Sequence, residues 1–485
     1  MYILAFPLLL IIPFLLLFPD SKVLFIISIV VGSMLSIYAL ATIIFRQNFL
    51  RFTNIMAISF LLGYSLSTLI YFVTHFSFVI LSEKFDVTGY YVTQKELSLA
   101  ISMVYFVCAT LFLFSRVDYS IDSVLHKTNL VFLDIRATLL VYLGLGIVFF
   151  ALISNNLGYQ GVQKIDEASN QISIIGAISI QIAPVLPAMF LIKIKQKVNK
   201  HLIFIDIIGF ALSLILLFSL TRRTLLYSII ISLIALAPKA QEIHKINPRI
   251  LLQYLIFGFF LLIIIYIGFY FFMGLRIAQQ TIGESNKSIF ELLLTAKDSG
   301  LLIGTELGDT LHENMSNRPF FLVNYLGILI SAHQSYSPLW GEELSFAIKS
   351  AIPSTIWPSK IMILPSMSEE LTHPLLGLPI YDGSNTIITF GLNDFGVFGA
   401  ILYPVFIAHL YGSLVYFLQE RVPTFIFYFI ILNLIFKVFS LEESLAVFLT
   451  VGLRDIFITS LGLLVIWRFL GGFLWKQAIG SHQDN

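Results

Sequence analysis

Between Arg249 and Arg276 lie 26 consecutive residues without a charged side chain. A run of that length and chemistry has one natural solvent, the hydrocarbon core of a bilayer, where ~20 apolar residues make a helix long enough to cross. The pattern recurs. Apolar runs occupy 2–18, 23–45, 53–81, 97–115, 137–155, 171–192, 202–220, 224–238, 250–275, 386–418, 422–440 and 444–467. Lipid leaves backbone groups no water to bond, so each run is expected to be a helix. The spacing predicts an all-α polytopic membrane protein with about 12 transmembrane helices, residues 1–485 forming a single integral membrane domain. Nine helices fall in 1–275, a polar segment fills 276–385, and 386–485 holds the last three helices and a short tail.

Composition agrees. Charged residues are 12% of the chain, about half the ~25% of a soluble domain. The net charge of +1 creates no global field, so nucleic acid is not an expected partner. Cys108 is the single cysteine and sits in an apolar run, which excludes an intramolecular disulfide and suits a small core residue. Residues 1–18 lack a basic start and an A-x-A-like cleavage site, and Pro13 and Pro19 punctuate them. They are expected to be a retained first helix rather than a signal peptide.

Basic residues in short loops set the orientation. With the N-terminus cytoplasmic, the inside loops hold 15 Lys and Arg residues and the outside loops 7. Lys193, Lys195, Lys197 and Lys200 form the clearest inside cluster. Both termini are then cytoplasmic, and 276–385 is a large outer loop. Within it Phe320–His333 is apolar for only 14 residues, too short to cross and suited to a re-entrant or interfacial helix.

Three polar features could carry chemistry. Thr221-Arg222-Arg223 separates two apolar runs, which places two guanidiniums at the outer surface. Their forks fit phosphate oxygens bidentately; equally, they could snorkel to lipid headgroups. Arg454 lies ten residues into the last run, at a depth where a charge costs at least ~2.5 kcal/mol and normally serves function. Glu443 and Asp394 are its candidate partners, either as a pair gluing helices or as the lining of a polar cavity. The third feature is Ala351–Phe395, where Pro353, Trp357, Pro358, Lys360, Pro365, Pro374 and Pro379 pin an irregular chain. It runs through Tyr381-Asp382-Gly383-Ser384-Asn385 into a helix. That end reads as a cap, and its free N–H groups also favour an anion.

Other signals are missing. The chain has no P-loop, no G-x-G-x-x-G and no H-E-x-x-H, so no metal site and no cofactor is expected. His312, His333 and His373 read as surface or capping residues. Glu342-Glu343 and Glu369-Glu370 are adjacent pairs, which do not face each other on a helix and read as solvated faces.

The runs Ile352-Pro353-Ser354-Thr355-Ile356-Trp357-Pro358-Ser359-Lys360 and Gly391-Leu392-Asn393-Asp394-Phe395-Gly396-Val397-Phe398-Gly399 resemble a P-x-x-x-W/F-P-x-K/R stretch and an N-x-F-G-x-x-G helix. With the many spans, the Thr-Arg-Arg hairpin, the late outer loop and the polar final helices from Glu443 to Arg454, the chain resembles the O-antigen polymerases, Wzy-type oligosaccharide repeat-unit polymerases. The architecture match covers nearly the whole chain and the motifs about 50 residues. The resemblance implies a fold akin to GT-C-like membrane glycosyltransferases, in a bacterial inner membrane. Its substrates would be undecaprenyl-diphosphate-linked oligosaccharides, with a chain-length regulator as an optional protein partner. A hydroxyl of one repeat unit would attack the anomeric carbon of the growing chain, and lipid diphosphate would leave. Arg222, Arg223, Arg276, Lys360 and Arg454 are the candidate cations for the diphosphate and glycan. Asp382, Asp394 and Glu443 are the candidate proton acceptors.

Two other classes compete. A lipid-oligosaccharide flippase would also use many helices with buried charge, although repeat symmetry is expected there. An O-antigen ligase shares the donor chemistry and the large outer loop.

Overall fold

The computed structural model describes residues 2–46, 50–74, 84–86, 91–121, 131–132, 134–154, 174–196, 203–218, 222–236, 294, 320–354, 356–365, 367–379 and 384–483. In chain order its helices and strands begin with α1 (Ala5–Leu17), α2 (Lys22–Arg46), α3 (Phe52–Phe60), α4 (Ser67–Thr74), β1 (Lys84–Asp86), β2 (Tyr91–Thr93) and α5 (Gln94–Phe114). Next come α6 (Ile135–Ile153), α7 (Ile174–Ile182), α8 (Leu186–Gln196), α9 (Ile203–Phe218) and α10 (Arg222–Leu236). The later part holds α11 (Phe321–Ala332), α12 (Glu342–Ala351), α13 (Lys360–Ile363) and α14 (Glu369–Leu375). Last are α15 (Ile387–Leu418), α16 (Thr424–Phe439), α17 (Leu445–Leu449) and α18 (Ile456–Gln483).

The apolar runs that fall on described residues are helices, and the only strands among those residues form one short antiparallel ribbon, β1–β2. Among the described residues, seven helices are long and apolar enough to cross a membrane: Lys22–Ile44, Phe52–Val73, Gln94–Phe114, Ile135–Ile153, Ile175–Gln196, Ile387–Leu418 and Leu445–Gly471. Ala5–Leu17, Ile203–Leu217, Thr224–Ala235, Phe321–Ala332 and Thr424–Phe439 are shorter apolar helices. The run 250–275 lies outside the described residues.

Local chemistry explains several boundaries. Helix α5 opens on a capping box, with the Thr93 hydroxyl accepting from Glu96 N and the Glu96 carboxylate accepting from Thr93 N, which satisfies two orphan donors at once. Asp134 caps α6 by accepting from Arg136 N at 2.9 Å. Pro184 interrupts one long run with a 3₁₀ turn, Ala183–Val185, between α7 and α8, because its ring removes a donor and crowds the preceding turn. Two π-helical turns, Leu61–Leu66 and Thr450–Asp455, interrupt other spans; such insertions often accompany functional positions.

The chain folds as two compact units. The first comprises 1–122, 312–416 and 437–454; the second comprises 123–311, 417–436 and 455–485. In the first unit α5 is central and packs against α1, α3 and α11. Leu97, Ile101, Val104, Cys108 and Phe112 are all fully buried there, and the Cys108 thiol points to the Ala57 carbonyl at 3.5 Å. Tyr105 ties α5 to α2 by donating to the Ser28 carbonyl at 2.6 Å. Helix α11 is buried from Leu322 to Leu329 and packs through Gly327 near Val92. A helix covered this way is a core element, so the expected short apolar stretch exists but does not lie on the surface of the unit.

In the second unit α6, α8 and α9 meet at a buried ion pair. Lys193 Nζ lies 2.6 Å from Asp206 Oδ1, both side chains 4% exposed, and the Tyr142 hydroxyl donates to the same oxygen at 2.5 Å. Lys193 was expected in a cytoplasmic loop cluster. Instead its charge is matched inside the protein, which is the condition for burying it at all.

Candidate functional site at a broken helix

The motif from Gly391 to Gly399 lies on α15, and the helix is broken in its middle. Phe395 (φ −134°, ψ 23°) and Gly396 (φ 62°, ψ −148°) leave helical geometry. Glycine alone enters the second region without a Cβ clash. The two halves then fold so closely that a Cβ on Gly399 would strike the Gly391 carbonyl, and one on Gly391 would strike Gly399. The spacing of the three glycines is thus the geometry of the break.

Breaking the helix frees backbone acceptors, and the preceding segment uses them. Leu339 N donates to the Asn393 carbonyl at 2.8 Å and Trp340 N to the Asp394 carbonyl at 2.9 Å. Immediately afterwards α12 begins, with Gly341 as its N-cap and no side-chain cap of its own. Asp394 supplies that cap from a distance. Its carboxylate accepts from Glu343 N and Leu344 N, each at 2.9 Å, and from the Tyr403 hydroxyl at 2.5 Å. A carboxylate at a helix N-terminus also meets the positive end of the dipole.

The other end of α12 is held by cations. Lys360 Nζ donates to the carbonyls of Ser350 (2.9 Å) and Ile352 (2.5 Å). Arg454 Nη1, from the π turn before α18, reaches the carbonyls of Ser350 (3.4 Å) and Ala351 (3.3 Å). Cations at these last carbonyls complement the negative end of the dipole.

One face of α12 carries Glu343, 2% exposed. Its Oε1 accepts from Asn393 Nδ2 at 3.3 Å, and the side-chain Oδ1 of Asn393 meets His333 Nε2 at 3.3 Å. Burial pushes the Glu343 carboxyl up to about 8; the nearby Asp394 and Glu369 charges push the same way, and hydrogen bonds from Asn393 and Ser368 offset part of it. The site therefore contains a carboxylic acid that holds its proton at neutral pH. Glu369, 7% exposed, accepts from Ser368 Oγ at 3.3 Å and from Asn385 Nδ2. His373 is fully buried; its Nδ1–H donates to the Pro379 carbonyl at 2.8 Å, so Nε2 accepts from the Tyr325 hydroxyl at 2.7 Å. Burial holds this imidazole below its usual range, hence neutral.

These contacts correct several sequence expectations. Glu343, Glu369 and His373 are buried rather than solvated or capping at a surface. Arg454 was expected to pair with Asp394 or Glu443. Asp394 instead binds amides at one end of α12, and Arg454 binds carbonyls at the other. Glu443 sits 3.8 Å from Lys437, in the turn before α17, with 26% of its side chain exposed.

The remaining candidates are placed as follows. Arg222 and Arg223 are the first residues of α10. Arg276 and Asp382 lie outside the described residues, as does His312. Among the described residues, no cluster of three or more His, Cys, Asp or Glu side chains has a metal-binding arrangement. Comparison with family models, curated proteins and solved structures finds no match for this chain.

Proposed function

We propose that this protein is a membrane glycosyltransferase of the O-antigen polymerase type, joining undecaprenyl-diphosphate-linked repeat units at the outer face of a bacterial inner membrane through about 12 spans. One observation carries the reading. The three stretches on which the resemblance rests, around Lys360, Asp394 and Arg454, converge on a single ten-residue helix, α12. Asp394 and Arg454 reach α12 from far along the sequence and Lys360 from close by, and it is their meeting on one helix that supports the reading.

The chemistry follows from what the side chains can do. An acceptor hydroxyl oxygen bonds to the anomeric carbon, the bond from that carbon to diphosphate breaks, and the diphosphate leaves with the electron pair. The hydroxyl proton needs a carboxylate. Asp394 is a poor choice because amides and a phenol already occupy both oxygens. Glu443 is part exposed, 3.8 Å from Lys437, so it is the more accessible acceptor of the described pair. Positive charge for the leaving diphosphate would come from Arg222 and Arg223, with Arg276 as a further donor; Lys360 and Arg454 are assigned to holding α12.

The broken α15 also suits a transporter, in which discontinuous helices line a central site. A deletion strain separates the readings. On a gel of surface glycan, a ladder collapsing to one repeat unit on the lipid core supports a polymerase. Loss of all attached glycan, with polymer retained on undecaprenyl diphosphate, indicates a ligase. Repeat units trapped at the cytoplasmic face indicate a flippase, and either result would sink the proposal.

A further inference from the structure

The stretch 340–363, from just before α12 through α13, carries large apolar side chains that the described residues leave exposed. Trp340 is 76% exposed, Ile348 52%, Ile356 75%, Met362 93% and Ile363 62%. None of these residues lies in a membrane-crossing helix. Scattered exposed apolar residues are ordinary, but large ones gathered on one segment mark a contact surface. Charge is removed from the same segment. From Ala351 to Pro365 the only charged residue is Lys360, and its ammonium is turned inward onto the Ser350 and Ile352 carbonyls.

Trp340 adds an independent observation. Its φ is +53°, and Gly341 follows at +98°. A bulky residue is held in the left-handed region only against steric cost, yet its ring is left largely uncovered. The backbone hydrogen bond to Asp394 and the edge-on contact with Phe395, ring centres 6.4 Å apart, fix where that ring stands. It stands beside the break in α15, next to the point where the exposed stripe Phe398 (69%), Leu402 (42%) and Phe406 (56%) begins. In a membrane-crossing helix such an exposed apolar stripe suits lipid, and Trp340 stands at its end.

We infer that residues 340–363 form an interfacial anchor that lies in the headgroup boundary of the bilayer, with Trp340, Ile348, Ile356, Met362 and Ile363 immersed. The chemistry matches that position. Trp concentrates at membrane interfaces because one edge is apolar and the other can donate a hydrogen bond. Lys349 and Glu342, both exposed on α12, flank Ile348 and can reach the polar headgroups while their stems stay apolar. A short amphipathic element of this kind lies on a membrane rather than through it. The consequence is that α12 and the residues clamped to it sit at lipid-headgroup depth, whatever reaction they serve.

The test uses full-length protein with Cys108→Ser, carrying a nitroxide at Ile356→Cys, Met362→Cys or, as a lipid-facing reference, Phe398→Cys. Each is reconstituted in nanodiscs of phosphatidylethanolamine and phosphatidylglycerol, and collision with oxygen and with a water-soluble nickel chelate is measured. Immersion predicts several-fold more oxygen than nickel collision at positions 356 and 362, approaching position 398. Strong nickel collision at both would place the segment in water and overturn the inference. Low collision with both reagents would mean cover by protein, a second copy or a partner, and would overturn it equally. The result is independent of whether the protein polymerises glycan.

Discussion

Two backbone amides and a phenol converge on the Asp394 carboxylate, so Asp394→Asn sets an amide N–H₂ against one of those donors. An unmatched buried donor costs about 1–3 kcal/mol, and the helix end loses its negative charge as well. The variant should melt earlier in detergent and accumulate less; a melting curve equal to wild type would show that the cap contributes little. Glu343 predicts a pH dependence of opposite sense to that of a paired carboxylate. Its folded value is about 8 against an ordinary 4.5. The stability it confers is therefore full below pH ~4.5, declines between ~4.5 and ~8, and is gone above that window. Melting temperatures of wild type and Glu343→Gln at pH 5 and pH 9 check this. Wild type should lose stability relative to the Gln variant on going from pH 5 to pH 9, and a constant difference would refute the raised value.

Helix α12 is pinned by an anion at its start and cations at its end, and ten residues at ~1.5 Å each put those ends ~15 Å apart. Arg454→Glu should lower abundance, and adding Asp394→Arg should not restore it, because the two side chains serve opposite ends of one helix. Rescue by the double reversal, read on an immunoblot of membranes, would mean they pair directly. At the break, Gly396→Ala should cost ~1–3 kcal/mol through its backbone geometry alone. The helices themselves were legible, since long uncharged runs admit little else. The break was not, because Leu392-Asn393-Asp394-Phe395 contains no proline and the flanking Gly391, Gly396 and Gly399 are spaced like those of ordinary packed helices. The buried acids are hidden in the sequence for a clearer reason: each stands in an adjacent pair whose two members face different ways. On a helix adjacent residues point 100° apart, so Glu342 can face solvent while Glu343 shares a face with Phe346 and Ala347. Glu369 likewise aligns with Thr372 and His373, all buried. Counting apolar neighbours three and four residues on finds Glu343, whereas Glu369 has Thr372 and His373 at those positions and gives no such signal.

Across the whole molecule the proposed orientation rests on basic residues in short loops, and two of them no longer qualify. Lys193 is paired with Asp206, and Lys437 is 7% exposed beside Glu443. One leaves each side of the count, so 15 against 7 becomes 14 against 6, and the bias is undiminished. In the proposed orientation Lys195, Lys197 and Lys200 stay on the inside, and Arg222 and Arg223, the first residues of α10, would lie at the outer surface. If those guanidiniums bind the leaving diphosphate, Ala at either position should lower polymerisation ~10²-fold, as for one lost transition-state donor. Lysine should rescue only part, lacking the planar fork. Full polymer from a double Ala variant at normal abundance would leave the pair with lipid headgroups alone. That interpretation needs the orientation to hold, and labelling decides it. Cysteine at Ser337, an exposed residue before α12, should react with an impermeant maleimide in intact spheroplasts. Cysteine at Lys197 should react only after the membrane is opened. The reverse pattern would turn the molecule over, place α12 and its clamps at the cytoplasmic face, and remove the lipid-linked substrate from their reach.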